Sequence, residues 1–282
     1  MIKPVKQDDA FLEDVAWAKK RPEQLHLWWL GQSGYLIQWQ GCHLLIDPYL
    51  SDSLTKKYSG TNKPHVRMTE RIIGPERLDF VNVVTSSHNH TDHLDGETLV
   101  PLLKANPNLM VIVPRANLKF AAERLQVSAE RLTPIRADGE AIEIDPFVFH
   151  AIPSAHESLE QDENGDQRFI GLILQIGKWT IYHSGDCVPY NGLVERLKNW
   201  RIDLGLLPIN GRDPARGVAG NFTAHEAAQL GRQIGAGFVI PCHYEMFEFN
   251  SVSPKGFVEA AEEIGQEYQL LKCGERLDLS MQ

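Results

Sequence analysis

The sequence has little that would tie it to a membrane, to nucleic acid or to an oxidising compartment. Its longest apolar runs, such as Leu109 to Val113, fall far short of the ~20 residues a membrane-spanning helix needs. Residues 1–18 mix charged with apolar side chains in no continuous apolar stretch, which predicts no secretory leader. The cysteines Cys42, Cys187, Cys242 and Cys273 are scattered without a CxxC pair, so a disulfide framework is not expected and a reducing cytoplasm is. Neither sign of charge forms a block: 28 basic against 37 acidic side chains give a net charge of −9. Long nucleic acid, which needs clustered Lys and Arg, is therefore not an expected partner. Linkers, low-complexity tracts and short repeats are missing too.

What is present reads as an ordinary folded chain. Of its 282 residues 43% are hydrophobic and 23% charged, enough to bury a large core without staples. Asp9 to Lys20 has helical spacing through Phe11, Leu12, Val15 and Ala16. Short strands follow at Leu25 to Leu30, Tyr35 to Trp39 and His43 to Ile46, punctuated by Gly31, Gly34 and Gly41. Ser51 to Pro75 reads as a long loop, and loops of that length in compact domains tend to be functional. Beyond it, strand-like runs at Phe80 to Ser86, Leu109 to Val113, Phe147 to Ile152, Phe169 to Ile176, Trp179 to His183, Leu204 to Ile209 and Gly237 to Ile240 alternate with helical patterns. The helices are predicted over Glu97 to Ala105, Arg115 to Leu125, Gly192 to Trp200, Thr223 to Ile234 and Pro254 to Ile264, with Thr223 and Glu226 at capping-box spacing. The expectation is a layered α/β fold occupying residues 1–282 as one domain.

Eleven histidines stand out, and three of them crowd into Thr85-Ser-Ser-His-Asn-His-Thr-Asp-His-Leu-Asp95. His88, His90, Asp92 and His93 share one short loop directly after an apolar strand, where α/β folds put their chemistry. A polar surface loop is the plain alternative. At 11 histidines in 282 residues, so dense a cluster is improbable by chance, and a metal site is the better reading. Imidazole and carboxylate without thiolate suit zinc, and also manganese or iron.

This HxHxDH run resembles the signature of the metallo-β-lactamase fold hydrolases, and the resemblance extends over most of the chain. It implies an αββα sandwich (four layers, α+β) carrying two divalent metal ions at one edge. By that resemblance His88 and His90 hold one ion, and Asp92 and His93 the other. The later ligands of the family match His156 in Pro153-Ser-Ala-His-Glu157, a bridging Asp186 in His183-Ser-Gly-Asp186, and His243 in Ile240-Pro-Cys-His243. Asp47, in Leu44-Leu-Ile-Asp-Pro48, looks like the carboxylate that orients a metal-bound imidazole; its rival role is to cap the turn before Pro48. Trp28-Trp-Leu-Gly31 with Gly34, His183-Ser-Gly-Asp186, Asp213-Pro-Ala-Arg-Gly217 and the stretch from Thr223 to His243 resemble the L-ascorbate-6-phosphate lactonase group. That group's Asn-Pro-Arg-Gly type segment carries Asp213 in place of Asn here, with Ala215 inserted. The Ser-His-Asn-His-Thr-Asp-His-Leu-Asp form also resembles the N-acylphosphatidylethanolamine phospholipase D branch.

The expected activity is metal-dependent hydrolysis by a bridging hydroxide of a lactone or related ester of a small, phosphorylated or unphosphorylated metabolite, with a phosphodiester as the alternative. Asp92 and Asp186 are the expected catalytic carboxylates, Asp92 taking a proton as the intermediate collapses. A homo-oligomer is implied by the resemblance to the lactonase group. Arg212 and Arg216 are candidates for clamping a substrate anion, with a plain surface loop nearly as good a reading. Tyr58 and Arg67 are weaker candidates for that role. His26, His43, His150 and His183 are expected to be structural or to support ligands, His225 to lie on the surface, and His65, in the long loop, to lie there in preference to facing substrate. Cys187 and Cys242 adjoin proposed ligands but should point into the core, as strand neighbours do. Of the pair Trp28 and Trp29, one is expected in the core and the other partly exposed.

Overall fold

The computed structural model describes residues 1–280. Helix α1 (Asp8–Ala18) leads into an antiparallel meander of β1 (Leu25–Gly31), β2 (Gly34–Trp39) and β3 (Cys42–Ile46). After α2 (Ser53–Lys57) the chain alternates through β4 (Val83–Thr85), α3 (Gly96–Ala105), β5 (Met110–Pro114), α4 (Leu118–Leu125) and β6 (Thr133–Ile135). A second sheet is then laid down by β7 (Ile142–Ile144), β8 (Phe147–Pro153), β9 (Ile170–Ile176) and β10 (Trp179–His183). It continues past α5 (Leu193–Leu197) with β11 (Leu204–Pro208), α6 (Ala224–Ile234) and β12 (Phe238–Cys242). Finally α7 (Lys255–Ile264) leads to β13 (Arg276–Leu279), which returns to the first sheet beside β1. The sheet orders are β13-β1-β2-β3-β4-β5-β6 and β12-β11-β10-β9-β8-β7. One continuous hydrophobic cluster draws on both sheets, and the architecture is the expected αββα sandwich.

Strand polarity explains where function can sit. β3, β4, β5 and β6 run parallel to one another, as do β10, β11 and β12. β8 is antiparallel to β9, which is antiparallel to β10, so β8 shares the direction of β10. The loops that leave β3 and β4 therefore gather at one edge of the first sheet, and those that leave β8, β10 and β12 at one edge of the second. Contacts between Ser87 and Ile170, and between Ser33 and His183, bring these two edges together.

The outer helices are held by local rules that the sequence states openly. Thr223 accepts from the Glu226 backbone N–H at 3.2 Å, and the Glu226 carboxylate accepts from the Thr223 N–H at 2.9 Å. At the other end of α6, Gly235 takes the left-handed φ of +68° that ends the helix. Ala227, Ala228, Leu230 and Ile234 form its buried face. Gly231 lies so close to the sheet that a Cβ there would sit 2.4 Å from Val239.

Two expectations need correction. Trp28 and Trp29 are both buried, because β1 is covered on both faces. Trp28 meets Phe11 of α1 edge-on and donates its indole N–H to Asp14 at 2.9 Å, while Trp29 packs at 4.7 Å on Tyr244. The loop from Ser51 to Pro75 also contains the short helix α2. Strands β6, β7 and β13 are only three or four residues long; β7 and β13 alternate apolar with polar over that span, too short to stand out, and β6 includes Pro134. We expect Thr223→Ala to lower stability by about 1 kcal/mol, read as a shifted urea midpoint at unchanged slope.

Candidate metal centre

Five strand ends converge on one point. β3 delivers Asp47, β4 delivers the loop with His88, His90, Asp92 and His93, β8 delivers His156, β10 delivers Asp186 and β12 delivers His243. Apart from Asp47, which groups with His88 and His93, their donor atoms form two groups. The ligand-type atoms of His88, His90 and His156 lie within 4.8 Å of one another, and so do those of Asp92, His93, Asp186 and His243. Asp186 spans both groups: Oδ1 is 3.2 Å from His93 Nε2, and Oδ2 is 3.4 Å from both His156 Nε2 and His243 Nε2. Asp92 Oδ2 is 3.6 Å from His93 Nε2 and from His243 Nε2.

These separations test whether a metal fits. Four ligands at ~2.0–2.1 Å around a tetrahedral zinc stand about 3.3–3.4 Å from each other, close to what is seen. His93 Nε2 and Asp186 Oδ1 are neighbours yet have no hydrogen-bond partner, and His88 Nε2 is also buried and unpaired. Leaving such groups unsatisfied is costly, so atoms aimed at a shared empty point fit a cation. No thiolate reaches the cluster: Cys187 and Cys242 are fully buried, and burial pushes the Cys187 thiol up to about 11.

The surroundings orient the rings. Asp47 takes the imidazole-orienting role of the two weighed for it: its carboxylate pairs with His93 Nδ1 at 2.6 Å and accepts from the Ser87 N–H at 2.9 Å, as well as from the Ser87 hydroxyl, and among the described residues no bond from it to the turn before Pro48 appears. His156 Nδ1 donates to the Gly220 carbonyl at 2.9 Å, and His88 Nδ1 lies 3.0 Å from Ser87 Oγ. His183 is not among the grouped ligand atoms. Its Nε2 donates to the Ser33 carbonyl at 3.1 Å and its Nδ1 accepts from the Gly185 N–H, which holds the turn that presents Asp186.

The two halves differ electrostatically. Burial drives His88 well below the ordinary histidine range and, with His156 nearby, takes His90 to about 4, so both rings are neutral at pH 7. Burial also lowers His93 and His243, but the carboxylates of Asp186 and Asp92 outweigh it; His93 is raised well above its usual range and His243 reaches about 9. The carboxylates themselves are held low, burial opposing and the neighbouring imidazoles prevailing. Without metal, protons supply the positive charge this half requires.

Above the cluster opens a cavity of about 560 Å³ whose lining includes His90, Asp92, His156, Asp186 and His243. Lys57, Tyr58, Lys63 and His65 reach it from the long loop, and Phe120 and Arg124 from α4. His65 is thus buried rather than on the surface, its ring stacked on Tyr58 at 4.2 Å and set against Phe247 and Phe249. Arg212 and Arg216 are not among the lining residues. Arg212 makes a two-pronged pair with Glu226 at 2.5 and 2.6 Å, and Arg216 donates to the Asn210 carbonyl and to Asn250. Arg67 likewise ties down the Ser51 and Thr69 carbonyls. His26, His43 and His150 have local partners in Asp278, Gln38 and Gln175, and His225 is exposed. The sequence reading missed Lys57, Lys63, Arg124 and Gln32. Gln32 alone left a signal, being a non-glycine side chain in a tight glycine-bounded turn.

Fold and site together define a metal-dependent hydrolase of αββα architecture. A model of the beta-lactamase superfamily domain matches residues 43–244, and the chain belongs to that superfamily. It is 26% identical over 262 residues to a UPF0173 metal-dependent hydrolase of Sulfurisphaera tokodaii, covering 89% of this chain and 98% of the relative. To the "Probable L-ascorbate-6-phosphate lactonase UlaG" of Escherichia coli it is 22% identical over 274 residues, covering 86% and 76%. The structure of isothiocyanate hydrolase from Delia radicum gut bacteria shares the fold, with a TM-score of 0.70 at 19% identity over 91% of this chain and all (100%) of that one.

Metal uptake should be strongly pH-dependent. A ligating imidazole must be neutral, so filling the carboxylate-rich half at pH 7 displaces the protons that Asp186 and Asp92 favour on His243, raised to about 9, and on His93, raised well above its usual range. Affinity should therefore rise with pH up to about 9 and fall as pH is lowered. The check is zinc titration of metal-free protein in weak buffer with an indicator dye, where net proton release at pH 7 should shrink above pH 9.

Proposed function

We propose that the protein hydrolyses a lactone or related ester of a small phosphorylated metabolite, using two divalent ions, with zinc the first choice. His88, His90 and His156 would hold one ion, and Asp92, His93 and His243 the other, with Asp186 placed to serve both. The observation that carries this reading is Asp186 placed between two ligand groups on the floor of a cavity that Lys57, Lys63 and Arg124 also line. Bound ions supply Lewis-acid polarisation of the scissile group and a hydroxide nucleophile at neutral pH. Asp92, which lines the cavity, takes the nucleophile's proton on the carboxylate oxygen turned away from His93 and His243 and returns it to the leaving oxygen. Asp47 keeps the His93 ring in the tautomer whose Nε2 lone pair faces inward.

The lactone preference rests on the resemblance to the lactonase relative, and the phosphate preference on the lysines. Lys57 is exposed and its nearest partner is the Thr91 hydroxyl at 3.5 Å, a contact too weak to occupy the ammonium. Lys63 joins the long loop to the Gly217 carbonyl across the cavity. An anionic substituent on the substrate would meet both before the ester reached Asp186. Neither Arg212 nor Arg216 is needed for this, since neither lines the cavity.

Elemental mass spectrometry should find close to two equivalents of metal in the purified protein and clear loss in a His88→Ala/His90→Ala variant. Substantially less than one equivalent, unrestored by zinc, manganese or iron, would defeat the proposal. In a paired screen of lactones and phosphodiesters, lactone turnover should dominate, and Asp92→Asn should cut kcat by about 10²–10⁴-fold. Replacing Lys57 and Lys63 together by Ala should raise KM for a phosphorylated lactone by about 10-fold while leaving an unphosphorylated one unchanged. Equal effects on both substrates would remove the lysines from anion recognition.

A further inference from the structure

We infer that Gln32 is a positioning residue for one metal only, the ion held by the Asp92, His93 and His243 half of the centre. The inference rests on the dinuclear reading above. Gln32 is the first central residue of the two-residue turn between β1 and β2, where its φ is +50°. Glycine is the residue that such a turn position favours, and a longer side chain stays there only when something else compensates. Its side chain is buried and aimed into the centre: Nε2 donates to Asp92 Oδ2 at 2.8 Å and lies 2.9 Å from His243 Nε2. Its carbonyl accepts from the His243 backbone N–H at 2.9 Å and from the Trp29 indole at 3.0 Å.

The reason for this arrangement lies in what His243 lacks. His88, His93 and His156 are each steadied through Nδ1 by Ser87, Asp47 or the Gly220 carbonyl. His243 Nδ1 is buried without a partner. The work done elsewhere by an Nδ1 contact falls to Gln32, whose carbonyl grips the His243 backbone while its amide holds Asp92. Those two residues come from different sheets, so nothing in either sheet's own ladder sets their separation. Gln32 sets it from a third strand connection. No contact of Gln32 with His88, His90 or His156 appears among the described residues, so the other half does not depend on it.

The test uses the full chain stripped of metal with a chelator, comparing the parent with Gln32→Met and Gln32→Gly. Methionine keeps the length and removes the N–H donor; glycine removes the side chain and suits the left-handed backbone. Stepwise cobalt titration, followed by visible absorbance and checked by elemental mass spectrometry, reads each equivalent separately. The expected result is a loss of about 10–100-fold in affinity for one equivalent, with the other unchanged, in both variants. The metal-free Gln32→Gly protein should meanwhile melt at or above the temperature of the parent. Two equivalents bound as in the parent would overturn the inference, as would equal weakening of both with a lower metal-free melting temperature, the mark of a packing residue. A parent that takes up fewer than two equivalents would instead overturn the dinuclear reading itself, and this inference with it.

Discussion

The carboxylate of Asp186 is nine-tenths or more removed from water, and three imidazoles, those of His93, His156 and His243, lie within 3.4 Å of it. A buried anion is tolerable only with compensating positive charge, and here that charge can come from protons on histidines or from metal ions. Much of the architecture can be understood as arranging for it. The strand ends of the two sheets face a common seam, the rings of His93 and His243 are biased toward the charged form, and those of His88 and His90 stay neutral. A dication replaces protons in this scheme without altering the logic, which is why one cluster of residues serves both as a stability problem and as a catalytic resource.

How much of this was legible in the sequence follows from how local each signal is. The HxHxDH loop is contiguous, so its ligand character shows without a fold. His156, Asp186 and His243 are single residues after apolar strands, and only their order in a recognised pattern singled them out before the structure placed them together. The helices announced themselves through 3.6-residue periodicity and caps, as α6 does with Thr223, Glu226 and Gly235. Trp28 and Trp29 misled because alternation presumes one wet face, and β1 has none. The cavity walls were the hardest to read. Lys57, His65 and Arg124 lie on α2, the long loop and α4, and no pattern within any of those segments says that they meet.

The long loop is more ordered than its composition indicated. Tyr49 and Leu54 form a small apolar cluster with Met246 and Phe247, apart from the main core, against which Tyr58 and Phe249 pack. His65 joins it by stacking on Tyr58. This satellite holds one cavity wall without drawing on the sandwich. The opposite wall, around Gly217 to Gly220, is anchored by the Arg212–Glu226 pair and by the bond from His156 to the Gly220 carbonyl. Arginine 212 so contributes to the site's shape from outside the cavity, a structural part where the sequence had allowed an anion clamp.

Three of the eight described non-glycine residues with left-handed backbone stand at the centre. Gln32, Asp47 and His243 have φ values of +50°, +41° and +64°. Each conformation costs of order 1 kcal/mol or more, and folding alone would favour glycine or asparagine at such positions. Each instead carries a side chain that the metal centre uses or that steadies it, and each stands at or beside the end of a strand: β1, β3 and β12. A sharp left-handed turn at a strand end swings the next side chain off the pleated sheet and into the seam, a direction that regular strand geometry does not offer. The cost falls on the folded state whether or not metal is bound, whereas the compensation through the ligands arrives with the ion. The apoprotein should therefore be least stable at the very residues that confer function, and the well-packed sheets behind them are what make that arrangement sustainable.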